Sequence, residues 1–182
     1  ISQRVDSLTS FYQVGALRQK VGENMASGKE DAWTLAHHAQ LMLHDNQRTL
    51  ALQSLRRAYQ MESKDEPTDV TRALLVDTLL RGLREDFVHN EWLSTEVAEL
   101  IDQPAQRMEY LRLMTIGLQK VDKFDQAFEA CVDLIDAHSD ETMEVVSEHL
   151  NIRRDRWIQV QLANIYSGAD RTQRTGIDQV IK

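Results

Sequence analysis

Four short triplets recur along this chain: Leu17-Val21-Asn24, Ala51-Leu55-Ala58, Leu93-Val97-Leu100 and Ala127-Cys131-Leu134. Each is spaced i, i+4, i+7 and therefore lies on one helix face. Only Asn24 departs from the apolar pattern, and Met25 stands beside it. The leading residues are separated by 34, 42 and 34 positions. The longer interval is the shorter one plus eight residues, and Glu62-Ser63-Lys64-Asp65-Glu66-Pro67-Thr68-Asp69 is the polar stretch that fits such an insertion. A 34-residue period is the length of a helix-turn-helix repeat unit, so the chain is expected to be an array of helical hairpins.

Composition agrees with an all-α reading. The hydrophobic share of 42% can build a core, whereas 7 Gly and 2 Pro are too few to punctuate many short strands. A length of 182 residues suits a single helical-repeat domain of about five two-helix units. No apolar run approaches a membrane span, and no basic stretch followed by an apolar segment opens the chain. Because it begins at Ile1, it is expected to be a piece of a longer polypeptide with further domains. Cys131, the single cysteine, falls within a helix triplet and is expected to be a small core residue.

Charge is unevenly placed. Residues 121–148 hold nine acids against Lys123, while residues 149–182 hold six basic residues against three acids. Two readings stay open: adjacent helices neutralise each other along their rims, or an acidic face meets a basic partner. A nucleic-acid partner is not expected, since the chain carries a net charge of −8 and no basic stripe.

Helix signals place the hairpins at 2–27, 31–61, 69–102, 105–137 and 140–166, with a terminal amphipathic helix at 171–181. Gly15 is read as a break inside the first hairpin. Ser27-Gly28-Lys29-Glu30 fits a capping box before the second. Asp45-Asn46 and Asp122-Lys123 are read as turns, as is the stretch from Asp86 to Asn90. Gln103-Pro104 separates the third hairpin from the fourth. Ser139 or Asp140 is expected to cap a short helix to Leu150, with a longer one from Arg153 to Tyr166.

The second and fourth units resemble tetratricopeptide-type repeats. Ala39, Ala51, Leu55 and Ala58 match the family's small and interlocking positions, as do Thr115, Ala127, Cys131 and Leu134. The stretch Val121-Asp122-Lys123-Phe124-Asp125-Gln126-Ala127 is similar to the family's turn into its second helix. Other units depart from the pattern: Arg81 stands where a small residue is expected, and the apolar face Ile158-Leu162-Ile165 is out of register. The resemblance implies an all-α, right-handed superhelical array of hairpins, a tetratricopeptide-like α-solenoid ending in a C-terminal capping helix. It also implies groove positions on the first helix of each unit. These are Trp33, Ala36, Gln40, Leu43 and His44 in the second, and Glu109, Arg112, Ile116, Gln119 and Lys120 in the fourth. Arg112 and Lys120 are the pair suited to an acidic group. Separately, Arg153-Arg154-Asp155-Arg156-Trp157, with Leu162-Ala163 and Ile177-Asp178, resembles helical segments joined to β-propeller domains in large multidomain bacterial proteins.

Catalytic and metal-binding patterns do not emerge. The six histidines form neither an HExxH motif nor the Glu-x-x-His spacing of metal-binding bundles. His37 and His44 share a face without an acidic partner in register, and no cofactor is expected. A thiol nucleophile needs an electropositive setting, and the sequence around Cys131 is acidic. Trp33, Trp92 and Trp157 are expected to pack between helices. The expected function is therefore a non-catalytic scaffold or helical spacer that binds a peptide or partner helix in a concave groove. An enzyme or small-molecule-binding helical domain with dispersed site residues is the alternative.

Overall fold

Helix ends in this chain are set by local hydrogen bonding, and the same device ends three of them. Gly28 (φ 74°), Asn46 (φ 58°) and Asp122 (φ 57°) adopt the left-handed conformation just past a helix. In each case the next amide donates five residues back: Lys29 to Asn24 O at 2.9 Å, Gln47 to Met42 O at 2.7 Å and Lys123 to Leu118 O at 3.0 Å. These are Schellman turns, which satisfy carbonyls that the helix leaves unpaired. Only glycine lacks a steric penalty there, while Asn and Asp tolerate the conformation better than other residues.

The computed structural model describes residues 2–62, 69–140 and 148–180, with side-chain environments for 13–61, 71–137 and 156–180. Among the described residues the protein is all-α, without strands. The helices are α1 (Ser2–Ala26), α2 (Ala32–His44), α3 (Arg48–Glu62), α4 (Asp69–Glu85), α5 (Phe87–Asn90), α6 (Leu93–Leu100), α7 (Pro104–Lys120), α8 (Phe124–Asp140), α9 (Glu148–Gly168) and α10 (Arg171–Val180). None of the described helices is long and apolar enough to cross a membrane. The chain divides into two compact units, 1–78 and 79–182, with the boundary inside α4 after Thr78.

In the first unit α1 packs on α2, and α2 pairs closely with α3. The α2–α3 crossing is built from Ala39, Ala51, Leu55 and Ala58, all fully buried, with Leu35 beside them. Small side chains at such positions let two helix backbones approach closely. The structure corrects two expectations in this unit. Ser2–Ala26 form one continuous helix and not a hairpin, because Gly15 and Gly22 are helical positions with open space around them. A helical glycine costs about 1 kcal/mol relative to alanine, which does not by itself end a helix. The capping box is also displaced: Asp31 caps α2 by accepting from the Thr34 amide at 2.8 Å. Ser27 instead donates to Asn24 O, and Glu30 pairs with Arg57 of α3. Asn24 earns its place in the apolar triplet by donating to the Thr34 hydroxyl at 2.9 Å.

In the second unit α7 and α8 form the closest pair, and α9 and α10 both pack on α8. Pro104 occupies the first turn of α7, where its missing N–H costs nothing. Thr115, Ala127, Cys131 and Leu134 are buried at the α7–α8 crossing, and the Thr115 hydroxyl donates to Leu111 O within its own helix. The expected turn over 86–90 contains α5, capped by Asp86, whose buried Phe87 lies flat against Gly117 of α7. A β-carbon on Gly117 would come within 2.1 Å of that ring. Phe124 covers Gly168 in the same way. The expected helix start at Ser139 or Asp140 belongs to the end of α8; residues 141–147 lie outside the described residues. From Glu148 to Gly168 the chain is one helix, without the expected break between Leu150 and Arg153. Helix α10 opens with a capping box: Gln173 N donates to Asp170 Oδ1 at 2.8 Å, and Asp170 N donates to Gln173 Oε1 at 3.0 Å.

Candidate functional site

On α2 the residues singled out by the resemblance fall into two clusters. Trp33 is 40% exposed and stacks on His37 with ring centroids 4.1 Å apart. Lys20 of α1 places its ammonium 4.7 Å from the Trp33 ring, a favourable cation–π position. One turn further along α2, Gln40 is exposed. At the helix end, exposed His44 lies 3.2 Å from Asp45 Oδ1, and Asp45 also accepts two bonds from Arg18 of α1 at 2.5 and 2.8 Å. Hydrogen bonds from Arg18 and then His44 pull the Asp45 carboxyl down from its ordinary 3.8 to about 2. Trp33 and Asp45 therefore mark two points where α1 is fastened to α2.

The face of α7 is arranged differently. Glu109 accepts from Arg84 Nε and Nη2 at 3.1 and 2.8 Å through one oxygen, and from Arg112 Nε at 3.2 Å through the other. Gln119 donates to Thr115 O at 2.7 Å and to Gln161 of α9 at 2.9 Å, so α9 lies over this end of the face. Lys120 is exposed, and its charge helps hold the Asp86 carboxyl below its usual range, although hydrogen bonds from His89 contribute more. Arg112 is thus engaged with Glu109, while Lys120 acts on Asp86 only through its charge.

Two cavities open on this unit. One, of about 420 Å³, lies between the segment 101–104, Arg107 and Met108 of α7, and Asp133, Asp136 and Ala137 of α8. The other, of about 330 Å³, is lined by Ala105, Met108, Glu109 and Arg112 of α7, Leu134 of α8, and Trp157 and Ile158 of α9. Met108, Asp133 and Trp157 were not among the expected site residues. Sequence spacing on α7 does mark Met108, one residue before Glu109. The approach of α9 that brings Trp157 there is a long-range contact that spacing cannot reveal.

Other chemically capable groups have structural places. Cys131 is fully buried, and burial pushes its thiol up to about 11, far from a reactive thiolate. Trp92 departs from the expectation of inter-helix packing and is 63% exposed at the start of α6. Among the described residues no three His, Cys, Asp or Glu side chains gather as a metal site would require. No protein-family model matches this chain, and neither the curated proteins nor the solved structures contain a match to it.

Proposed function

We propose that this chain is a non-catalytic protein-interaction scaffold built from tetratricopeptide-like hairpins stacked as a right-handed superhelix. The outward faces of α2 and α7 would receive a peptide or partner helix. One observation supports this most: α2–α3 and α7–α8 have the same construction. Each joins its helices through a three-residue turn with a left-handed Asn46 or Asp122 at the same place. Each buries the same four register positions, 39, 51, 55 and 58 in one and 115, 127, 131 and 134 in the other. Repetition of a skeleton beneath differing outward side chains is the economy of repeat scaffolds, in which the frame is kept and the face is varied.

The reading is tested by selecting from a library of short capped peptides on the intact chain, then repeating the selection on two variants. In one, Trp33 and Gln40 are changed to alanine; in the other, Arg112 and Lys120 are. Selected peptides are expected to lose roughly tenfold in affinity on at least one variant, the scale of losing a well-placed interface contact. Peptides that bind both variants as well as the parent would show that neither face is the groove.

A further inference from the structure

Met108 lines both cavities beside the α7–α8 hairpin, and the charges flanking it are opposite in sign. On one side, Arg112 engages Glu109 through Nε, and among the described residues its two terminal amines make no hydrogen bond. Glu109 is already shared with Arg84, so two guanidiniums face one carboxylate at the rim of a cleft walled by Leu134, Trp157 and Ile158. On the other side, Asp133 is exposed and has no hydrogen bond or ion pair among the described residues. Among the described residues, Asp102 and Asp136, which have partners of their own, line that cavity with it, and Arg107 is the cation there.

A ligand of one sign would be drawn to one side of Met108 and repelled from the other. Complementarity therefore selects an occupant that is itself dipolar. The cleft of about 330 Å³ stands at the small end of ligand-site volumes, which suits one large apolar side chain. Resting on the scaffold reading above, we infer that this unit docks a partner segment with one large apolar anchor seated against Met108, an acidic residue toward Arg112 and a basic residue toward Asp133. The apolar anchor supplies most of the affinity, and the two charges fix register and direction.

The probe is a library of acetylated, amidated peptides with a central Leu, Phe or Ala and with Glu, Lys or Ser on either side, offered to the intact chain. Enriched members are expected to carry Leu or Phe at the centre with Glu on one side and Lys on the other. Arg112→Glu is expected to weaken those peptides roughly tenfold and to shift the preference on that side to Lys. Asp133→Lys is expected to shift the other side to Glu, and charge-swapped peptides restore binding to each variant. Both positions are exposed, and unchanged thermal unfolding of the variants confirms that only the surface has been altered. Enrichment without a charge pattern, or a pattern that neither reversal moves, overturns the inference. Peptides lost only on the Trp33 and Gln40 variant would also overturn it while leaving the scaffold reading in place. A library from which nothing is enriched would remove both.

Discussion

The hairpins α2–α3 and α7–α8 share a skeleton and differ in what is attached to it. In the first, Arg57 of α3 is neutralised by Glu30 just before α2. In the second, the matching positions are Asp133, which has no ion pair among the described residues, and Gln106, which is buried. Trp33 holds the cation of Lys20, whereas Glu109 at the matching position collects Arg84 and Arg112. Turn geometry and close crossings depend on a few small residues at fixed spacing, so they can recur while neighbouring positions change freely. In the first hairpin the Arg57 charge is neutralised within its own unit; in the second, Asp133 has no hydrogen bond or ion pair among the described residues.

The largest expected effect breaks the symmetry. Gly117→Ala should destabilise the chain by about 3 kcal/mol in chemical denaturation, because the new methyl group overlaps the Phe87 ring. The matching position in the first hairpin is Leu41, which is accommodated there at 5% exposure. The same change at Gly22, a helical site with open space, should stabilise by about 0.5–1 kcal/mol. Next, Ala51→Leu and Ala127→Leu should each cost about 2 kcal/mol, since both are fully buried at a close crossing. A large loss in only one hairpin would show that the two crossings are not equivalent. Asn46→Ala and Asp122→Ala should each cost about 1 kcal/mol through left-handed strain, with glycine at either site tolerated.

The smallest effect concerns pH and is specific to the first unit. The Asp45 carboxyl is held near 2 in the folded chain, against 3.8 when free of Arg18 and His44. Its contribution is therefore fully present above about pH 4 and is lost as pH falls through 2. Asp45→Asn should flatten the acid limb of the unfolding curve over that interval and lower stability at neutral pH by the same amount, which is small because the ion pair is exposed. An unaltered acid limb would show that Arg18 and Asp45 do not hold α1 to α2.

Periodicity revealed the features that depend on local spacing. The crossing residues and the all-α character follow from which residues recur along a helix face, and the start of α7 follows from Pro104. Gly15 does not break α1, because a glycine signals a break only when its surroundings require one. Phe87 was read as part of a turn because its partner, Gly117, is 30 residues away. On the candidate site, spacing placed Glu109 and Arg112 together, one turn apart on α7. It could not supply Arg84, which reaches Glu109 from another helix, or Gln161, which meets Gln119 from 42 residues away.

Gln173 connects two regions through one side-chain amide. Its oxygen accepts from the amide of Asp170, the residue that caps α10, and its nitrogen donates 2.7 Å to the carbonyl of Asp122 in the α7–α8 turn. Fraying of the last helix breaks this bond, which couples it to loosening of that turn. Amide hydrogens at Lys123 and at the start of α10 should exchange with solvent in step, although they belong to elements some fifty residues apart in the chain.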